Sequence, residues 1–183
     1  MPGKKKSALR WGIFIMVYAA TEAFFNDVLK VEGSTRTLPL NPDKLREAGQ
    51  RRGVKLFSSE WGVRTRVRGN LDGGGNYSRW ATFEGTEQIR AYLIDMKGLR
   101  DIVSHGGDPF SSPNESGALW VQKKGNSMTL MGVEGFLQAC TDMAAQTILA
   151  FGGDLSQVPE WPEPTRSGIS AEKRPRLKLL PGD

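Results

Sequence analysis

The chain has one histidine, His105, and it stands five residues after Arg100 in the run Arg100-Asp101-Ile102-Val103-Ser104-His105. An imidazole titrates near neutrality and can carry a proton to or from a reacting group. An arginine's planar fork can hold two oxygens of one phosphate. Together they offer a proton carrier and an anion-binding group, with Asp101 placed to orient either of them. A plainer reading stands beside this one: His105 caps helix carbonyls, and Arg100 pairs with Asp95 or Asp101 on a solvated face. On an ideal helix a five-residue separation turns two side chains roughly 140° apart. A shared substrate then requires a loosened helix end, which Gly106-Gly107 would permit, or a site spanning two chains.

Other residues of interest are weaker. Val63-Arg64-Thr65-Arg66-Val67-Arg68 alternates, so an extended backbone puts Arg64, Arg66 and Arg68 on one face. That face is either a charge-protected, solvated edge strand or a strip that follows RNA phosphates, with Trp61, Tyr77 and Trp80 as stacking surfaces. Glu22 either lines the Arg/His cleft or lies exposed on an apolar helix. Cys140 reads as a small core residue, because no activating group is near it in sequence.

The elements that must position these residues are mostly helical. Residues 7–31 carry Trp11, Phe14, Ile15, Tyr18, Phe25 and Leu29 at threes and fours. Asn41-Pro42-Asp43 starts a short helix that ends near Arg52. Residues 54–80 read as a long loop or weak hairpin, given Gly69, Gly73, Gly74 and Gly75. Thr86 can cap a second long helix with Ile89, Tyr92, Leu93, Met96, Leu99, Ile102 and Val103 in one stripe, stopped by the glycines after His105. Leu119–Lys124 and Ser127–Met131 flank Gly125-Asn126, a two-residue hairpin turn. A last helix, residues 133–151, turns Phe136, Leu137, Cys140, Met143, Ala144, Thr147, Ile148 and Phe151 inward, and Gly152-Gly153 ends it. The bundle core is expected to include Phe14, Tyr18, Leu93, Met96, Ile102, Leu137 and Ile148.

Composition sets bounds on the partners. A chain of 183 residues suits one domain with a tail. The domain is placed at 1–153, and the proline-rich, basic stretch 154–183 is expected to be flexible. One cysteine excludes an intrachain disulfide and, with one histidine, argues against a Cys/His zinc site. No cofactor and no metal is expected. A net charge of +5 suits phosphate-rich partners. Lys4-Lys5-Lys6 followed by an apolar run has the order of a signal peptide, but the apolar pattern continues past Ala20 to Leu29 and Glu22 interrupts it. A cytoplasmic protein with no membrane span is the expectation, a secreted or scaffolding helical protein the alternative.

Arg, then Asp, then three residues and His-Gly at the end of an amphipathic helix, with a final helix following, resembles the Arg-x4–6-His motif of the HEPN superfamily. The stretch Tyr18–Phe25, with its acidic residue inside an apolar face, looks like the first helix of those proteins. The resemblance covers about residues 7–32 and 86–152. It implies an all-α antiparallel helical bundle, here with a small β-hairpin insertion and a disordered C-terminal tail. It also implies a metal-independent ribonuclease in which Arg100 and His105 act as the RNA's own 2′-hydroxyl attacks. By the same resemblance, such a protein serves as a toxin or antiviral effector, with an antitoxin or other regulatory protein as partner. A homodimer is expected on chemical grounds too, since one imidazole cannot be base and acid at once. A catalytically silent HEPN module that binds nucleotide, RNA or a partner protein is the alternative.

Overall fold

A computed structural model of the chain describes residues 2–30, 37–70, 76–157 and 173–177. Helix α1 (Pro2–Leu29) is followed by α2 (Pro42–Arg51), strands β1 (Gly62–Asn70) and β2 (Asn76–Glu84), and helix α3 (Gly85–Ser104). A 3-10 turn at Pro109–Ser111, a short hairpin of β3 (Trp120–Gln122) and β4 (Gly125–Ser127), and helix α4 (Leu130–Ala150) complete the order, with a 3-10 turn at Leu155–Gln157.

The expected all-α fold is corrected by the β1–β2 hairpin, which makes this a mixed α/β structure. Nine residues on each strand pair antiparallel, from Gly62 opposite Glu84 to Asn70 opposite Asn76. The segment read as a loop or weak hairpin is thus the largest sheet among the described residues. Its strength comes from contacts that local sequence does not reveal. The Thr65 hydroxyl lies 3.1 Å from that of Tyr92 on α3, and Val63, Thr65 and Val67 are all buried.

Helix α4 covers the free edge of β1. Alternate residues of an antiparallel strand turn their backbone groups away from the partner strand, and at Gly62 and Arg64 these groups meet polar side chains of α4. Gln146 accepts from the Gly62 amide at 3.1 Å and donates to its carbonyl at 2.7 Å. Asp142 accepts from the Arg64 amide at 2.7 Å. Further along, α4 comes so close that a Cβ on Gly135 would collide with the Arg66 amide. A helix thus blunts an edge that would otherwise invite another strand.

Phe136 joins the three long helices. Its ring centroid lies 5.1 Å from Phe14, 6.2 Å from Tyr18 and 6.4 Å from Tyr92. Phe14, Tyr18, Leu93 and Met96 are core as expected, but Leu137 is 49% exposed and does not belong there. Ile102 and Ile148 are only partly buried. By length and composition Ala8–Leu29 could cross a membrane, at a mean hydropathy of 1.3. In this structure its Phe14, Tyr18, Phe25 and Leu29 are core.

Caps follow the local signals in part. The Asn41 side chain accepts from the Lys44 amide, as its position before Pro42 predicts. Thr86 caps nothing: α3 begins one residue earlier, and the Thr86 hydroxyl donates to the Phe57 carbonyl. The small hairpin turns at Lys123-Lys124, because Gln122 pairs with Gly125, and not at Gly125-Asn126 as expected. Of the stretch 154–183, residues 158–172 and 178–183 lie outside the described residues. Residues 173–177 rest on β1 and α4, where the Pro175 carbonyl accepts from Arg64 at 2.9 Å and Arg174 donates to Gln138.

Candidate active site

Helix α3 ends in a Schellman motif, in which Gly106 donates to the Val103 carbonyl and Gly107 to that of Ile102. Gly106 has φ of +70°, a left-handed conformation that glycine adopts without strain. His105 is the C-cap, with its backbone amide donating to the Asp101 carbonyl at 3.1 Å. The glycines close the helix firmly and leave the imidazole exposed. Among the described residues no hydrogen bond or ion pair is made by the ring. The structure does not join the His105 ring to the side chain of Arg100 or Asp101 within one chain.

Arg100 instead faces α1. Its Nη2 donates to both Glu22 oxygens, at 3.1 and 3.2 Å, and its Nη1 to Asp101 at 2.8 Å. Asp101 also accepts from Lys97 at 2.5 Å. The guanidinium lies over the Tyr18 ring, 4.8 Å from its centroid, a stacking geometry open to arginine. Partial burial works against its charge, yet Tyr18, Glu22 and Asp101 outweigh that and hold the group firmly protonated. Burial, reinforced by Glu22, pushes the Tyr18 hydroxyl above its ordinary range. The Arg100 side chain keeps 28% of its surface exposed, so it remains within reach of an incoming anion.

Glu22 has a second task. Tyr18, Glu22 and Asn26, spaced four apart along α1, clasp the extended residues 38–40. The Tyr18 hydroxyl donates to the Leu40 carbonyl at 3.4 Å, and Glu22 accepts from the Leu40 amide at 2.9 Å. Asn26 donates to the Leu38 carbonyl at 2.8 Å and accepts from its amide at 2.6 Å. Glu22 and Arg100 are therefore brought together, while Tyr18 was expected only as core. Its spacing from Glu22 was the available signal, since residues four apart share a helix face.

The arginines of β1 are placed differently from either expectation for them. Arg64 makes a two-pronged pair with Asp142, through Nε at 3.0 Å and Nη2 at 2.6 Å. Arg66 is 2% exposed, stacks over Trp80 on the facing strand at 4.1 Å, and approaches Glu134 at 3.6 Å. Arg68 donates to the Val121 carbonyl. They do share one face, on which Arg66 is buried while Arg64 and Arg68 stay partly exposed and are held by contacts within the protein. Cys140 is buried, and that burial pushes its thiol up to about 12, so it has no nucleophilic character. Among the described residues no cluster of His, Cys, Asp and Glu could hold a metal ion.

No family model matches the sequence, and no curated protein or solved structure is significantly similar to it. The HEPN resemblance thus stands on the motif and the order of helices alone.

Proposed function

We propose that this protein is a metal-independent endoribonuclease of the HEPN kind, acting as a homodimer in the cytoplasm. The observation that carries this reading is the arrangement at the end of α3. A guanidinium is oriented by Tyr18, Glu22 and Asp101 and remains partly open to solvent, and just beyond it an exposed imidazole stands on a glycine-closed helix end.

In this reading Arg100 turns its fork to the phosphate and offsets the charge that develops there. His105 of one copy takes the proton from the 2′-hydroxyl, whose oxygen then attacks phosphorus. As the bond from phosphorus to the 5′-oxygen breaks, His105 of a second copy protonates the leaving oxygen. The products are a 2′,3′-cyclic phosphate and a 5′-hydroxyl end. A second copy is called for because, among the described residues, the His105 ring bonds to no other proton carrier of its own chain.

One observation favours a silent RNA- or partner-binding module instead. Glu22 and Asp101 already occupy Arg100, so substrate must compete with two carboxylates. Incubating purified protein with single-stranded RNA in EDTA separates the readings. Cleavage leaving cyclic phosphate ends is expected; RNA bound but intact would favour the silent module.

A further inference from the structure

We propose that Lys123 and Lys124, at the turn of the β3–β4 hairpin, are the phosphate-contacting arm of the site, holding the RNA backbone beside His105. The proposal rests on the ribonuclease reading of that site and adds where its polyanionic substrate is held.

The need for such an arm follows from charge. Around Arg100 the cations Arg100 and Lys97 face the carboxylates Glu22 and Asp101, so their formal charges cancel. Binding to a nucleic acid strand draws its affinity mainly from uncompensated cations that replace condensed counterions. Arg64 and Arg66 do not meet that need, being paired with Asp142 and Glu134, and Arg68 is tied to the Val121 carbonyl. Lys123 and Lys124 are both exposed, and neither takes part in an ion pair among the described residues.

Their position is fixed relative to His105 by a chain of specific contacts. Asp95, wholly buried on the motif helix, accepts from the Glu115 and Ser116 amides at 3.0 and 2.8 Å and from the Ser116 hydroxyl at 2.6 Å. Asn114 then clasps Leu119 through both of its backbone groups, at 2.8 and 2.9 Å, at the entrance to β3. On the return strand Asn126 donates to the Ser112 carbonyl at 2.7 Å. Gly125 lies so close to Phe110 that a Cβ there would collide with the Phe110 carbonyl oxygen. Phe110 follows His105 by five residues, a span of at most about 18 Å for extended chain. The loop after His105 is thus a braced platform that presents two lysines within a few nucleotides of the imidazole. Arg68 supports it from β1 by donating to Val121.

The test uses full-length protein carrying His105→Ala, so that RNA stays intact, and a short labelled single-stranded RNA followed by anisotropy. Lys123→Gln with Lys124→Gln is compared with Lys44→Gln with Lys55→Gln, which removes two exposed charges elsewhere. Between about 50 and 200 mM salt, losing two phosphate contacts should lower the salt slope by about 1.4, with affinity falling several-fold at the low end. The Lys44/Lys55 pair should leave the slope as it was. An unchanged slope for the turn variant, or an equal fall for both pairs, would overturn the proposal while leaving the cleavage site standing. A parent that neither binds nor cuts RNA would instead overturn the reading of the site itself.

Discussion

Two arginine–carboxylate pairs in this molecule are built on the same plan and differ in how far they are sealed. On α4, Gln138, Asp142 and Gln146 follow one another at four-residue intervals: Gln146 clasps the backbone of Gly62, Asp142 takes the amide and side chain of Arg64, and Gln138 donates to Asp142. On α1, Tyr18, Glu22 and Asn26 repeat that spacing, clasp residues 38–40, and hold Arg100. Asp142 is 2% exposed and saturated, accepting from Arg64 and Gln138, whereas the Glu22 side chain is 23% exposed and its arginine lies on an aromatic ring. The sealed pair reads as structure. The open pair leaves its arginine partly accessible, and that arginine lies on the helix that ends at the lone histidine.

The comparison breaks if the two pairs cost the same to lose. Asp142→Ala strands a mostly buried guanidinium and the β1 edge amide, and removing one partner of a buried pair costs about 3–5 kcal/mol. At about 2–4 °C per kcal/mol for a chain of this size, the melting temperature should fall by roughly 6–20 °C. Arg100→Lys should shift melting by only a few degrees yet recover little cleavage, because an ammonium lacks the two-pronged fork. Glu22→Gln should have the smallest effect on folding, about 1 kcal/mol or less, since partly exposed pairs contribute little and glutamine still accepts from Leu40. Calorimetry of the three variants checks the order; a Glu22→Gln loss equal to that of Asp142→Ala would remove the distinction.

The parts of the fold legible in the sequence were those governed by neighbours along the chain. Asn41 before Pro42, the stripes of α1 and α3, and the paired glycines after His105 all act within a turn or two. Residues 62–84 were legible only in part: the extended alternation of residues 63–68 and a hairpin were among the readings, but not the length of the sheet, because Arg64 and Arg66 look like a solvated edge until Asp142 and Glu134, distant in sequence, arrive to neutralise them. The polar spacing of Gln138, Asp142 and Gln146 was present in the sequence, hidden beside an apolar stripe into which Leu137 was wrongly drawn. At the candidate site Arg100, Asp101 and His105 could be named from their order, and Glu22 from its place within an apolar face. That Arg100 turns to Glu22 and away from His105 depends on how α1 crosses α3, which spacing along one helix cannot specify.

The most direct test of the central claim is cleavage of single-stranded RNA in EDTA by purified His105→Ala beside the unaltered protein, with melting temperatures measured on the same samples. His105 is exposed and its ring bonds to nothing among the described residues, so the variant should melt within a degree or two of the parent, as surface changes generally do. Its cleavage should fall at least about a hundredfold, the usual scale for losing a general acid or base. Undiminished cleavage by a well-folded His105→Ala protein would contradict the account and place the chemistry elsewhere.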